Sequence, residues 1–383
     1  MRQPPLLIRD ARVLAGDRVL PRASVLVSGG RIREVSRSIR RPKDAELIEA
    51  RGRLLAPGLI DIHINGGFGK SFDKADPEEI RGVGKALVEE GVTAYVPTLL
   101  SLPLARTRAA LRRIGEAAKR EGGAKILGAH LEGPYLNPAR RGAHRKEFLR
   151  RPSLKEFRSL LSEFRGLIKM MTIAPELPGA EEVIRCGRDH GILMCAGHSD
   201  ASARELERGA RAGIRHVTHL FNAMRRFHHR EEGLLERALL DDRLSCELIY
   251  DRRHLSRGAA ELVLRCKPAD RVVLVSDATF ALRAREGRYR VGADQYDVRR
   301  GEIRLAGSGL LAGSAVSLLD VARALAQDLR LPPERALPLA SANPARALGL
   351  RQGVIRPGRP ADLVLFGRKW SVAAVIVGGI RWK

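Results

Sequence analysis

The chain has 383 residues and is 44 % hydrophobic, enough for one large domain with a smaller one beside it. Its formal net charge is +25, but the basic residues are dispersed, aromatics are only 4 %, and no zinc finger, RNP motif or basic–aromatic block appears, so a nucleic-acid partner is not expected. No stretch reads as a membrane span, and the opening MRQPPLLIRDARVL is too polar for a secretory signal, so a soluble, cytoplasmic protein is the expectation.

In chain order, residues 1–56 alternate as LLIRDARVL, ASVLVSGGRIREV and RGRLLAPG, which is strand–turn–strand material. Eight short apolar runs then follow, each closed by polar residues: LIDIHI (59–64), AYVPTLL (94–100), KILGAHL (125–131), LIKMMTI (167–173), ILMCAG (192–197), IRHVTHL (214–220), CELIYD (246–251) and RVVLVSD (271–277). Between them lie helical patterns such as PEEIRGVGKALVEEG, LARTRAALRRIGEAAKREG, ELERGARAG and GAAELVLRC. Eight buried strands alternating with helices predict an α/β fold, a (β/α)8 TIM-type barrel over residues 57–350, because parallel strands need crossover helices. A further hairpin is predicted at GRYRVGADQYDVRRGEIRL (287–305), after the eighth strand. Residues 351–383 return to strand patterns, and neither terminal segment is long enough to bury a core alone. The two termini, 1–56 and 351–383, are therefore expected to pair into one small β-sandwich domain beside the barrel. Cys186, Cys195, Cys246 and Cys266 form no CxxC pair and sit in or near apolar segments, which suits reduced thiols.

A (β/α)8 barrel carries its chemistry at the C-terminal ends of its strands. Here those ends hold His63, His130, Glu132, His198, His219, Asp251, His254 and Asp277, all proton-transferring or metal-capable types. Glu132 stands in HLEGPY, at the end of an apolar run where a carboxylate is costly without a partner. Taken singly, each has a plainer reading: His198 could cap a helix starting at Ser199, His219 could be a hydrogen-bonded core residue, Asp277 could cap a turn, and His144 could be an exposed loop histidine.

The strings GLIDIHING, GAHLEGPYLNPARRGAH, AGHSDA, THLFNAM, SDA and LAGS, in that order, resemble the N-acetylglucosamine-6-phosphate deacetylase family of the amidohydrolase superfamily over nearly the whole chain. That resemblance implies acetate release from an N-acetylated amino-sugar 6-phosphate by a metal-dependent hydrolase. It assigns Glu132, His198 and His219 as ligands of one divalent metal, zinc first and iron, manganese or cobalt as alternatives. Asp277 is implied as the general base and acid, and His144 as the residue that polarises the acetyl carbonyl. Substrate contacts are implied for Ala143, Asn222, Ala223, His254 and Leu311, Ala312 and Gly313. Arg230 is implied to reach a phosphate across a homodimer interface. Many superfamily members carry His-x-His on the first strand; this chain has His63-Ile64-Asn65, which weakens a second metal site and leaves His63 as its one candidate ligand. Arg252 in IYDRRHL and the pair Arg225-Arg226 stand where the family is less basic, and they bear on substrate choice. Two other readings stay open: a deacylase of another N-acyl amino sugar or an N-acyl amino acid, and a non-catalytic binder of anions.

Overall fold

The computed structural model describes residues 4–292 and 294–383. Parallel strands Leu59–Ile64, Val92–Leu99, Ala129–Glu132, Ile168–Ile173, Leu193–Ala196, Ile214–Val217, Ser245–Leu248 and Val272–Leu274 pair in sequence order. The ring closes where the Asp277 N–H donates to the His63 carbonyl (2.9 Å) and Ile64 bridges Ala278. These are the eight strands expected from the sequence, with one difference. KILGAHL is not one strand: Lys125–Ile126 pairs separately, and the chain restarts at Ala129 after Gly128, whose φ is +144°.

Side-chain alternation decides what faces the barrel axis. Ala94, Val96, Met170, Cys195, Ile249, Val273 and Val275 share the interior cluster. Their neighbours Tyr95, Met171, Ile173, Met194, Ala196, Leu248 and Leu274 pack outward under the helices. Thr98, His130, Glu132 and Thr172 continue the inward parity upward, so the apolar plug gives way to a polar layer at the strand ends. The outer helices follow the sequence pattern: Pro77–Glu89 starts at an Asp76–Glu79 capping box, and Ala203–Ala212 at a Ser202–Glu205 one. Ser202, not His198, therefore caps that helix.

Both termini contribute to one eight-stranded sheet, with Leu54–Pro57 joining Leu6–Ala15 on one side and Leu363–Phe366 on the other. Its apolar face, including Leu6, Ile8, Val25, Ile32, Leu55, Leu363 and Ile376, forms its own core. The sheet curls over that face until the edge strand Arg31–Ser36 meets the segment that leads into Leu363–Phe366, through Ile32 N–H to Arg359 O (2.9 Å) and Ala361 N–H to Gly30 O (2.9 Å).

The hairpin expected at 287–305 is larger than predicted. Gly287–Val291, Asp294–Arg299, Glu302–Leu305 and Leu311–Ser314 form a four-stranded antiparallel sheet. It stands over the barrel mouth, where Arg145 pairs with Asp294 (3.4 Å) and Arg253 with Glu302 (3.1 Å).

Candidate active site

The barrel mouth opens into a cavity of about 550 Å³ bounded by the strand ends, the loop carrying His144 and the inserted sheet. At its floor Glu132 Oε1 lies 3.0 Å from His198 Nε2 and 3.1 Å from His219 Nε2, and the two histidine nitrogens are 3.0 Å apart. The His198 Nδ1–H donates to the Arg140 carbonyl (3.0 Å), which leaves its Nε2 as a bare lone pair. Three possible ligand atoms held this close are placed to share one cation. One carboxylate and two imidazoles from the C-terminal ends of three different strands, all buried, fit a divalent metal with a position open to the cavity.

The backbone is bent to bring these groups together. His198, His219 and Asp277 adopt positive φ values of 49°, 29° and 46°, which L-residues hold only where the surrounding structure compels them. Glycine makes room twice: a Cβ on Gly133 would lie 2.4 Å from Ser101 Oγ, and one on Gly313 would lie 2.7 Å from the Asp277 carbonyl oxygen.

Beneath the floor is a carboxylate that the sequence reading did not single out. Glu247 is fully buried, and its Oε2 accepts from His63 Nδ1–H (2.9 Å) and from the His219 backbone N–H (3.0 Å), its Oε1 from His216 Nε2 (3.1 Å). Burial pushes its carboxyl up, but His63 and His216 outweigh that and hold it well below the usual range. The argument applied to Glu132 could have found it: CELIYD places a charge inside an apolar strand. His63 Nε2 in turn lies 3.3 Å from Asp277 Oδ1 and 3.6 Å from Glu132 Oε2. Burial lowers the His63 pKa, yet Glu247, Glu132 and Asp277 together raise it well above the ordinary histidine value. For Glu132 burial raises the pKa, while the charge of His63 and the close approach of His144, His198 and His219 hold it well below the carboxylate range.

Asp277 behaves differently. Burial raises its carboxyl, His63 opposes the rise and the nearby Glu132 adds to it, so it titrates above an ordinary aspartate. Asn65 Nδ2 donates to its Oδ1 at 2.7 Å. His144 is buried too, and its Nδ1 accepts the Ser101 backbone N–H (3.2 Å), with Ser101 Oγ 2.9 Å away. An N–H can only donate, so the neutral ring carries its proton on Nε2. Asn65 and Ser101 were not singled out from the sequence, because each acts through a partner far away along the chain.

Ala143, Asn222, Ala223, His254, Leu311, Ala312 and Gly313 all line the cavity. His254 Nδ1–H donates to Asp251 Oδ2 (2.8 Å); burial lowers its pKa, but the Asp251 carboxylate outweighs that and raises it above the usual value. Arg230 does not line the cavity; it is exposed on the loop that follows FNAM. The basic departures also lie elsewhere. Arg252 makes a two-pronged bond to Asp328 (2.7 and 2.8 Å), Arg225 reaches Asp200 (3.4 Å), and Arg226 is exposed, so none of them crowds the cavity or adds to its charge. Lys169, mid-strand, is likewise outside it.

A model of the amidohydrolase family matches residues 54–381. The chain is 35 % identical over 383 residues to the N-acetylglucosamine-6-phosphate deacetylase of Bacillus subtilis, covering 98 % of this chain and 96 % of that one. It is 33 % identical over 341 residues to the N-acetylgalactosamine-6-phosphate deacetylase of Escherichia coli O157:H7, covering 88 % and 90 %. Among solved structures, a variant N-acetyl-D-glucosamine-6-phosphate deacetylase of Mycobacterium smegmatis, in complex with N-acetyl-D-glucosamine-6-phosphate, superposes with a TM-score of 0.91 at 30 % identity, covering 99 % and 100 %.

Proposed function

The chain belongs to the amidohydrolase family, and from that premise we propose that it hydrolyses N-acetylglucosamine 6-phosphate to glucosamine 6-phosphate and acetate. The observation that carries this is the convergence of Glu132, His198 and His219 on one point of a cavity that also holds Asp277 and His144. Glu132, His198 and His219 would hold one divalent metal, zinc by the borderline character of the donors, with iron, manganese or cobalt accommodated by the same set. Such an ion supplies Lewis acidity toward a carbonyl oxygen and acidifies a water. His63, its Nε2 without a hydrogen-bond partner among the described residues, is the residue that would favour partial occupancy of a second site.

In this reading His144 donates a hydrogen bond from Nε2–H to the acetyl oxygen as charge develops there. Asp277 accepts the proton of the attacking water and delivers it to the amine nitrogen as the C–N bond breaks. His254, held by Asp251, and the Asn222–Ala223 turn would receive the phosphate, while Ala143 and Leu311–Gly313 flank the sugar. Arg230, exposed and outside its own cavity, would serve the cavity of a second copy in a homodimer, as the family resemblance implies, where a guanidinium fork suits phosphate. A cytoplasmic setting agrees with four free thiols and a phosphorylated substrate.

A second reading, an N-acyl amino-sugar 6-phosphate of different ring configuration, is favoured by the likeness to the Escherichia coli enzyme named for N-acetylgalactosamine 6-phosphate. Chelation followed by metal return tests the proposal. Stripped protein should release no acetate and should recover on addition of one equivalent of zinc per chain. Unchanged acetate release by protein shown to be metal-free would overturn it.

A further inference from the structure

The first barrel strand ends in His63-Ile64-Asn65, where the expected His-x-His pattern gives way to an amide. We infer that Asn65 is the positioning residue of Asp277: it fixes one carboxylate oxygen so that the other is presented as the base. The inference rests on the role given to Asp277 in the proposed function.

Asn65 and Asp277 follow the first and eighth strands, and barrel closure joins them. The Asn65 backbone N–H donates to the Ala278 carbonyl at 2.7 Å, and the Asp277 N–H to the His63 carbonyl at 2.9 Å. On this double anchor the Asn65 Nδ2 donates to Asp277 Oδ1 at 2.7 Å, shorter than the usual amide bond and in keeping with an ionised acceptor. The orientation of the amide is set by chemistry, since an ionised carboxylate can only accept and the NH2 must face it.

The other end of the amide shows that packing is not the whole reason for its pose. Asn65 Oδ1 is buried without a hydrogen-bond partner among the described residues, a state that disfavours the native structure unless another interaction requires it. The required interaction is the one to Asp277. That aspartate sits at φ +46°, and its Oδ1 meets both Asn65 and the edge of His63 (3.3 Å). Its Oδ2 is therefore the oxygen left for proton transfer. An aliphatic side chain at 65 would free the carboxylate to turn, and an aspartate of the same shape would repel it.

The test compares Asn65→Asp, which keeps the shape and removes the donor, with Asn65→Ala and the unaltered protein. Kcat and KM for acetate release from N-acetylglucosamine 6-phosphate, metal bound per chain, and crystal structures are measured for each. Kcat should fall on the order of 100-fold in both variants, as a misplaced reacting group does, with KM and metal content unchanged to within about threefold. In the Asn65→Ala crystal the Asp277 carboxylate should be turned or split between rotamers. Retention of kcat by Asn65→Asp, loss of the metal rather than of kcat, or an unmoved Asp277 in the Asn65→Ala crystal would each overturn the inference. If the unaltered protein releases no acetate, the proposed function falls, and the position of Asp277 with and without the amide still decides this point.

Discussion

Replacing His144 with asparagine should cost this enzyme most of its turnover while leaving the metal in place. The ring is buried, and its Nδ1 is occupied by the Ser101 backbone N–H at 3.2 Å, so Nε2–H is the donor available to the cavity. A preorganised donor facing a developing oxyanion is worth about 2.7–4 kcal/mol, or roughly 10²–10³ in kcat. Asparagine is too short to put an N–H where the imidazole Nε2 stood, so the full loss is expected. Ser101→Ala is the informative control. It removes the hydroxyl 2.9 Å from Nδ1 but keeps the backbone donor that sets the tautomer, so its kcat should fall less than about tenfold. The assay is acetate release at saturating substrate, with metal content measured on the same samples. Full activity in His144→Asn would refute the oxyanion role. A Ser101→Ala defect as deep as that of His144→Asn would show that the hydroxyl, not the backbone, controls the ring.

Asp277→Asn should retain its metal and lose roughly 10²–10⁴ in kcat, the share of general acid–base catalysis; turnover that persists would assign the base elsewhere. His254 has a folded pKa raised by Asp251 above its unfolded value of about 6.5. Its positive charge, and the stability that goes with it, is present below that unfolded value and is lost as pH rises through the folded pKa. KM for the phosphorylated sugar should therefore climb on that alkaline side and be flat there in His254→Gln; an identical pH profile in the two proteins would contradict the reasoning. Glu247→Ala leaves His63, His216 and the His219 N–H without their buried acceptor, and urea unfolding should show a loss of about 3–5 kcal/mol. A loss under about 1 kcal/mol, the scale of an exposed ion pair, would mean that the carboxylate is not the keystone of that layer.

The barrel was legible because its strands are short apolar runs with polar ends, and the chain spends its histidines at those ends. Glu132, His198, His219 and Asp277 could be found from position alone, since a fold that gathers strand ends gathers whatever stands on them. What could not be read is contact. Asn65 and Asp277 are separated by more than half the chain, Ser101 meets His144 across two loops, and Arg252 turns to Asp328 on a helix that begins far downstream. A one-dimensional pattern placed Arg252 beside His254 and suggested a shared pocket; its left-handed backbone (φ 64°) sends it the other way. The inserted sheet was read as a hairpin because its fourth strand, Leu311–Ser314, is only four residues long and coincides with the LAGS string, which was read for its substrate contacts.

The central claim is that this cavity hydrolyses the acetamido group of a 6-phosphorylated amino sugar. The direct measurement is acetate release by zinc-loaded protein from N-acetylglucosamine 6-phosphate, with N-acetylgalactosamine 6-phosphate and unphosphorylated N-acetylglucosamine alongside. The account predicts rapid release from the phosphorylated glucosamine derivative and far slower release from the unphosphorylated sugar. Equal rates with and without the phosphate, or no release from any of the three, would contradict it.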